Sequence, residues 1–237
     1  MILENKTISI VIPVYNEEIV LEKNVLEVFE FSKNNLSSYD WQIIIADNNS
    51  KDKTGLIAKE LSQANAQIKY FFLNEKGKGR AVLGAWQLYP ADINIFMDAD
   101  LSTDLLALPQ LVLAIEEGYD LAIGSRNLAN SRVKRSFGRK IISRILNLIL
   151  KIFLGIKVSD TACGFKAINQ KVLANLSQKI KNQSWFFDTE LLFLAQKNGY
   201  KIKQIPVIWE EFNGERKSRG SVFGVMLEYI RGIIRLR

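Results

Sequence analysis

Asp98 and Asp100 stand one residue apart in the stretch INIFMDADLSTDL. The apolar run Ile93–Met97 has the pattern of a buried parallel strand. The turn Leu101-Ser102-Thr103-Asp104 then opens a helix, with Asp104 or Thr103 as its N-cap. Two carboxylates at the carboxyl end of a central strand lie where open α/β sheets bind ligands. Hard oxygen donors of this kind suit Mg²⁺ or Mn²⁺ carrying a diphosphate. The same residues would also serve as a helix cap and a solvated acid, so their weight depends on what surrounds them.

Three other segments reach that sheet edge. Pro13-Val14-Tyr15-Asn16-Glu17-Glu18 ends a first apolar run, with Asn16 placed to cap the helix that follows. Asp47-Asn48-Asn49-Ser50 ends a second, and Asp47 is placed to accept from a base N–H or a ribose hydroxyl. It equally makes an Asn/Asp/Ser turn with no ligand. Asn74-Glu75-Lys76-Gly77-Lys78-Gly79-Arg80 follows a third, and glycines with cations before a helix can grip phosphate. This is neither a Walker A loop nor a Rossmann fingerprint, because the residues those need are missing or misplaced.

The elements that must position these groups alternate. Strands are expected at 8–14, 41–46, 68–73, 93–97 and 120–124, with helices at 17–33, 52–64, 79–88 and 105–117. This is an α/β fold, a three-layer sandwich around a mostly parallel sheet. Beyond Arg126 the pattern changes to a long helix at 136–155, a short strand at 163–168, a helix at 187–198, a strand at 201–209 and a helix at 221–237. One domain over 1–220 with a C-terminal basic amphipathic helix over 221–237 accounts for this order.

Composition narrows the chemistry. The 237 residues include no histidine, which removes His-based triads, His general bases and His-bound zinc. One cysteine, Cys163, excludes an internal disulfide and argues for a reducing compartment. No signal peptide and no membrane span are read. Net charge is +7, and no acid interrupts the cations from Arg126 to Lys157. That block calls for an anionic partner. Its helix carries Lys140, Arg144, Asn147 and Lys151 on one face and Ile141, Ile142, Ile145, Leu148, Ile149 and Ile152 on the rest. Such a helix lies in an acidic bilayer surface or packs on the sheet. Nucleic acid is the remote alternative, and few aromatics interleave the cations to support it.

In that order, SIVIPVYNEE, IIIADNNSKDKTG, NEKGKGRA, INIFMDADLST and LAIGSRN resemble the inverting family-2 glycosyltransferases with a GT-A, Rossmann-like fold. RKIIS, SDTACGFKAI, WFFDTELLFLAQKNGYKI and IPVIWEEFNGERKS are similar to the polyprenyl- and dolichyl-phosphate sugar transferases. The resemblance implies that Pro13, Tyr15, Glu17 and Asp47, with Lys76 and Ala99, bind the donor nucleotide sugar. It implies that Asp98 and Asp100 hold Mg²⁺ or Mn²⁺ and the donor diphosphate. Arg126, Arg139 and Ser143 match positions that grip the acceptor phosphate, and Lys217 would stand near one of the two phosphates. Asp188 and Glu190 would contact the sugar, act as a base, or merely start a helix. Mannosyl enzymes usually carry Gln at the position of Ser102 and Arg at that of Glu211, whereas the DTACGFK and FDTELL segments are closer to the glucosyl branch. UDP-glucose is therefore expected over GDP-mannose, with polyprenyl phosphate as acceptor. The enzyme would sit peripherally on the cytoplasmic face. Mannosyl transfer from GDP-mannose, or another glycan or lipid acceptor, is the alternative.

Overall fold

In a computed structural model, which describes residues 5–211 and 222–237, a seven-stranded sheet carries helices on both faces. The strands are β1 (Thr7–Val14), β2 (Asp40–Asp47), β3 (Ile68–Phe72), β4 (Ile93–Met97), β5 (Leu121–Ser125), β7 (Phe165–Asn169) and β8 (Ile202–Pro206), in the order β3-β2-β1-β4-β7-β5-β8. Helices α1 (Leu21–Asn35), α2 (Thr54–Ala64), α3 (Lys78–Leu88) and α4 (Leu108–Glu116) alternate with the early strands. The mostly parallel α/β architecture expected from the apolar runs is present. β4 and β5 are buried at every position, as strands covered on both faces must be.

β7 pairs antiparallel with both β4 and β5, while the other sheet pairings are parallel. β4 and β5 therefore point the same way, and their carboxyl ends open on one edge. The single strand expected at 201–209 is two: β8 ends at Pro206, and β9 (Ile208–Glu210) turns away to pair with β6 (Arg132–Lys134) in a separate two-stranded sheet. Proline lacks the N–H needed to continue a ladder, which accounts for the break. α6 (Gln170–Leu176), capped by Asn169, was not anticipated.

Local caps decide several boundaries. Asp104 caps the 3-10 turn Leu105–Ala107 through Leu106 N–H at 2.8 Å. Asn16 does not cap α1. It adopts φ +54°, and its side chain accepts from Lys51 N–H at 2.8 Å, tying the β1 loop to the β2 loop. The helix starts later, at Leu21.

The long basic helix is α5 (Phe137–Leu154), ended by Gly155 at φ +63°. It packs on α8 (Val222–Leu236) through Leu150, Leu154, Tyr229 and Ile233, with Phe186 before α7 (Phe187–Lys197) filling the seam. Both helices leave apolar side chains in solvent, among them Ile142, Ile145, Leu148 and Ile152 on α5 and Met226, Ile230 and Ile234 on α8. Among the described residues, no helix is long and apolar enough to cross a membrane.

Candidate active site

β4 delivers Asp98 and Asp100 to the open edge of the sheet. Asp98 N–H donates to Gly164 O at 2.9 Å, and Asp100 Oδ1 accepts from Ser102 N–H at 3.1 Å. Leu101 then takes φ +49°, a left-handed conformation that costs a leucine energy and is concentrated at functional turns. Gly164 lies directly under Asp98; a Cβ there would collide with the carboxylate. The sequence segment Cys163-Gly164 thus makes the cradle in which Asp98 rests. Asp98, Asp100, Ser102, Thr103 and Trp209 line one small cleft.

Lys78, at the first position of α3, reaches this cleft. Its Nζ lies 2.9 Å from Asp98 Oδ1 and 3.1 Å from Asp188 Oδ2. Lys166 Nζ meets the other oxygen of Asp188 at 2.6 Å and the Cys163 carbonyl at 2.5 Å. Burial alone would lower the Lys78 pKa, but Asp188 and Asp98 hold it above the ordinary lysine range. Burial alone would raise Asp188, but Lys166 and Lys78 hold it below the ordinary carboxylate range. Both Asp188 oxygens are thus bound to ammonium groups. Glu190, also buried, accepts from Asn182 N–H and from Arg235 on α8, each at 2.7 Å.

Two carboxylates, one cradled over a glycine and already facing a monovalent cation, form a hard-oxygen donor set that fits Mg²⁺ or Mn²⁺. Among the described residues no cluster of three acidic, Cys or His ligands exists, so a cation here would draw its other ligands from a bound molecule and water.

The nucleotide-side residues converge from three loops. Asp47 is buried and accepts from Ser50 N–H at 2.9 Å and the Tyr70 hydroxyl at 3.1 Å. Burial and Asp47 push the Tyr70 phenol up to about 12. Glu17 is buried beside it, its N–H donating to Thr54 Oγ1 at 2.8 Å. Tyr15 is half-buried, with exposed Lys76 Nζ 4.3 Å from its ring centroid, and Pro13 and Val14 pair with Ala46 and Asp47. Asn48 Oδ1 accepts Gly77 N–H at 3.0 Å and so fixes the Lys76–Lys78 loop. Gly77 has φ +149° and faces the Gln183 carbonyl, leaving no room for a Cβ.

Across the cleft, the residues expected to grip the acceptor phosphate divide. Arg126 is bound bidentately to buried Asp160 (Nε–Oδ2 2.7 Å, Nη2–Oδ1 2.8 Å), and its backbone N–H donates to the same carboxylate at 3.0 Å. Burial would raise the Asp160 pKa, but Arg126 holds it below the ordinary range. Arg139 pairs with Glu211, so the acid at the position where mannosyl enzymes usually carry Arg neutralises it. Ser143 lines a cavity of about 210 Å³ with Arg126, Arg135, Lys140 and Arg144. Lys217 lies outside the described residues.

Arg135 is the cation that the motifs did not single out. Burial, then Arg126 and Arg139, push its pKa down to about 10, and its buried Nε has no hydrogen-bond partner. The Trp209 ring has both Arg126 and Arg135 at 5.4 Å from its centroid, and it also walls the Asp98–Asp100 cleft. Asp160, Lys78, Lys166 and Trp209 were each inside a quoted motif; what was missing was their pairing.

Comparison with known proteins identifies the family and the fold. The glycosyl transferase family 2 profile matches residues 9–177. Glycosyltransferase AglD of Haloferax volcanii is 32% identical over 205 residues, covering 86% of this chain and 33% of that protein. A dolichyl-phosphate beta-glucosyltransferase of Dictyostelium discoideum is 30% identical over 250 residues, covering 99% and 75%. The chain thus spans about a third of the first relative and three quarters of the second. Among solved structures, glucosyl-3-phosphoglycerate synthase from Mycobacterium tuberculosis in complex with Mn²⁺, uridine diphosphate and phosphoglyceric acid superposes with a TM-score of 0.69. The match covers 98% of this chain and 77% of that one at 20% identity, which establishes a common fold. The profile over residues 9–177 and the 30% identical relative place the chain in glycosyl transferase family 2, and its sheet has the GT-A fold.

Proposed function

We propose that this protein transfers a hexose, glucose favoured, from a nucleoside diphosphate sugar to a polyprenyl or dolichyl phosphate at a membrane surface, inverting the anomeric centre. The observation that carries the reading is the link made by Trp209. It lines the cleft of two carboxylates suited to a cation on a leaving diphosphate, and its ring meets Arg135, which lines the Ser143 cavity beside a helix with exposed apolar residues. The named glucosyltransferase relative supports glucose, and UDP is the expected donor nucleotide.

The residues suit that chemistry. A phosphate monoester with a second pKa of about 6 is already a nucleophile at neutral pH, so the absence of histidine is no handicap. Bound Mg²⁺ or Mn²⁺ would supply charge stabilisation on the departing diphosphate, held by Asp98 and Asp100. Asp47, Glu17 and Tyr15 would orient the nucleotide, with Lys76 and Ala99 at its phosphates and sugar. Arg135 and Ser143 would align the acceptor oxygen, with Arg126 and Arg139 shaping the cleft electrostatically. α5 would rest in the lipid interface, its cations near acidic headgroups.

The test is to incubate the protein with Mn²⁺ or Mg²⁺, polyprenyl phosphate and labelled UDP-glucose or GDP-mannose in parallel, then extract the lipid. Label entering lipid from UDP-glucose as the β-anomer, and lost on chelation, supports the reading. Label from GDP-mannose alone replaces the sugar; none from either overturns the proposed reaction.

A further inference from the structure

We propose that Lys78 is a positioning residue, the built-in counter-ion of Asp98, which makes cation binding depend on the donor, and that Asp188 sets how strongly Lys78 holds. The inference rests on the reading of Asp98 as a metal ligand.

Four charges run in a chain: Lys166, Asp188, Lys78, Asp98. Lys166 and Asp188 are 1% and 4% exposed and would balance one another without help. Asp98 is 43% exposed, so water reaches its carboxylate. Charge neutrality of the interior therefore does not account for Lys78. What Lys78 adds is a fixed positive charge on Asp98 Oδ1.

The ammonium is fixed from several directions. Asp188 holds it at 3.1 Å, and the Phe96 ring lies 5.0 Å from it. The backbone that carries it is clamped as well. Gly79 and Arg80 N–H groups donate to Ser184 and Gln183 carbonyls, at 3.3 and 3.0 Å. A divalent cation at Asp98 shares the carboxylate with this ammonium and remains near it. The repulsion weakens binding of a bare cation. A nucleoside diphosphate brings compensating negative charge, so cation and donor should bind together far better than the cation alone. Removing Lys78 should strengthen binding of the bare cation. Removing the Asp188 charge should weaken it, because Asp98 then becomes the only carboxylate in contact with Lys78. A merely structural role predicts that every substitution loosens the site.

The experiment measures free Mn²⁺ by electron paramagnetic resonance with the full chain, with and without UDP, correcting for the UDP–Mn²⁺ complex. Lys78→Met should bind Mn²⁺ alone about tenfold more tightly than wild type and show a smaller gain on adding UDP. Asp188→Asn should bind it several-fold more weakly, and clearly less so in the Lys78→Met background, where only the uncompensated Lys166 charge remains. If wild type binds no Mn²⁺ with or without UDP, the metal reading itself fails. If wild type binds but natively folded Lys78→Met, checked by circular dichroism, is unchanged or weaker, the role given to Lys78 is overturned.

Discussion

Two carboxylate–cation pairs lie on the two clefts that Trp209 links, and they are built differently. Asp160 and Arg126 meet through two side-chain bonds and a backbone bond, with Asp160 wholly buried. Asp98 and Lys78 meet through one contact, with the carboxylate 43% exposed. The first pair is closed: Arg126 binds both Asp160 oxygens, and solvent does not reach the carboxylate. The second is open to solvent on its carboxylate side, where the proposed metal ion would enter. The most completely bonded ion pair therefore belongs to the architecture, and the proposed chemistry falls to the weaker pair.

The largest expected effect breaks the open side. Asp100→Ala, or Asp98→Asn, should lower sugar transfer by roughly a thousandfold or more, as several kcal/mol of charge stabilisation are lost. The urea midpoint should stay close to wild type, because neither side chain is a buried partner of the core. If Asp98→Asn unfolds the protein as readily as a change at Asp160, the contrast between the two pairs fails.

The closed side should behave oppositely. Asp160→Asn leaves the Arg126 guanidinium without its buried partner, which costs about 3–5 kcal/mol of stability. Its pH dependence has a definite sign. The folded-state pKa of Asp160 is depressed, so its contribution is fully present above the unfolded value of about 3.9 and lost as pH falls through the folded value. Wild type should therefore hold its urea midpoint down to about pH 5 and lose stability below it. Asp160→Asn should begin lower and fall less steeply.

The same contrast explains what could be read from sequence. β1, β2, β4 and β5 were legible because both-face burial writes a continuous apolar run. Asp98 and Asp100 were legible because such a run ends on them. The antiparallel direction of β7 was not, since its five residues carry no sign of which way they run. Pairing was harder still. Lys78 and Asp188 are 110 residues apart, and nothing in either loop names the other. The acid-free block from Arg126 to Lys157 read as wholly available to an anion, yet Asp160, three residues beyond it, takes Arg126, and Glu211 takes Arg139. Counting cations finds an anion site; only the fold says which cations remain for it.

Arg135 sharpens that point with a smaller effect. It sits among like charges, and burial with Arg126 and Arg139 depresses its pKa to about 10. A folded-state pKa lowered in a base means that its charge opposes folding at neutral pH. Arg135→Met should therefore raise the urea midpoint slightly while raising the KM for polyprenyl phosphate several-fold, roughly the loss of one charge-assisted contact. A loss of stability, or an unchanged KM, would return the acceptor phosphate to Arg126 or Arg139.

Cys163 gives the smallest signal and the most local one. It lies between Asp160 and Gly164, buried, with its thiol pushed up to about 11 by burial and by Asp160. At pH 8 about one molecule in a thousand would carry a thiolate even if reagent could reach it. Native protein should thus resist iodoacetamide until it opens. The opening that exposes Cys163 must part Arg126 from Asp160, because the backbone carrying the thiol is tied there through Ala162 N–H at 3.2 Å to Asp160 Oδ1. Asp160→Asn should speed alkylation by the factor its lost stability allows, whereas Asp98→Asn, which leaves that tie intact, should not. Equal acceleration by both would mean that the open pair also holds the loop, and that its cation could not be exchanged without moving the backbone beneath it.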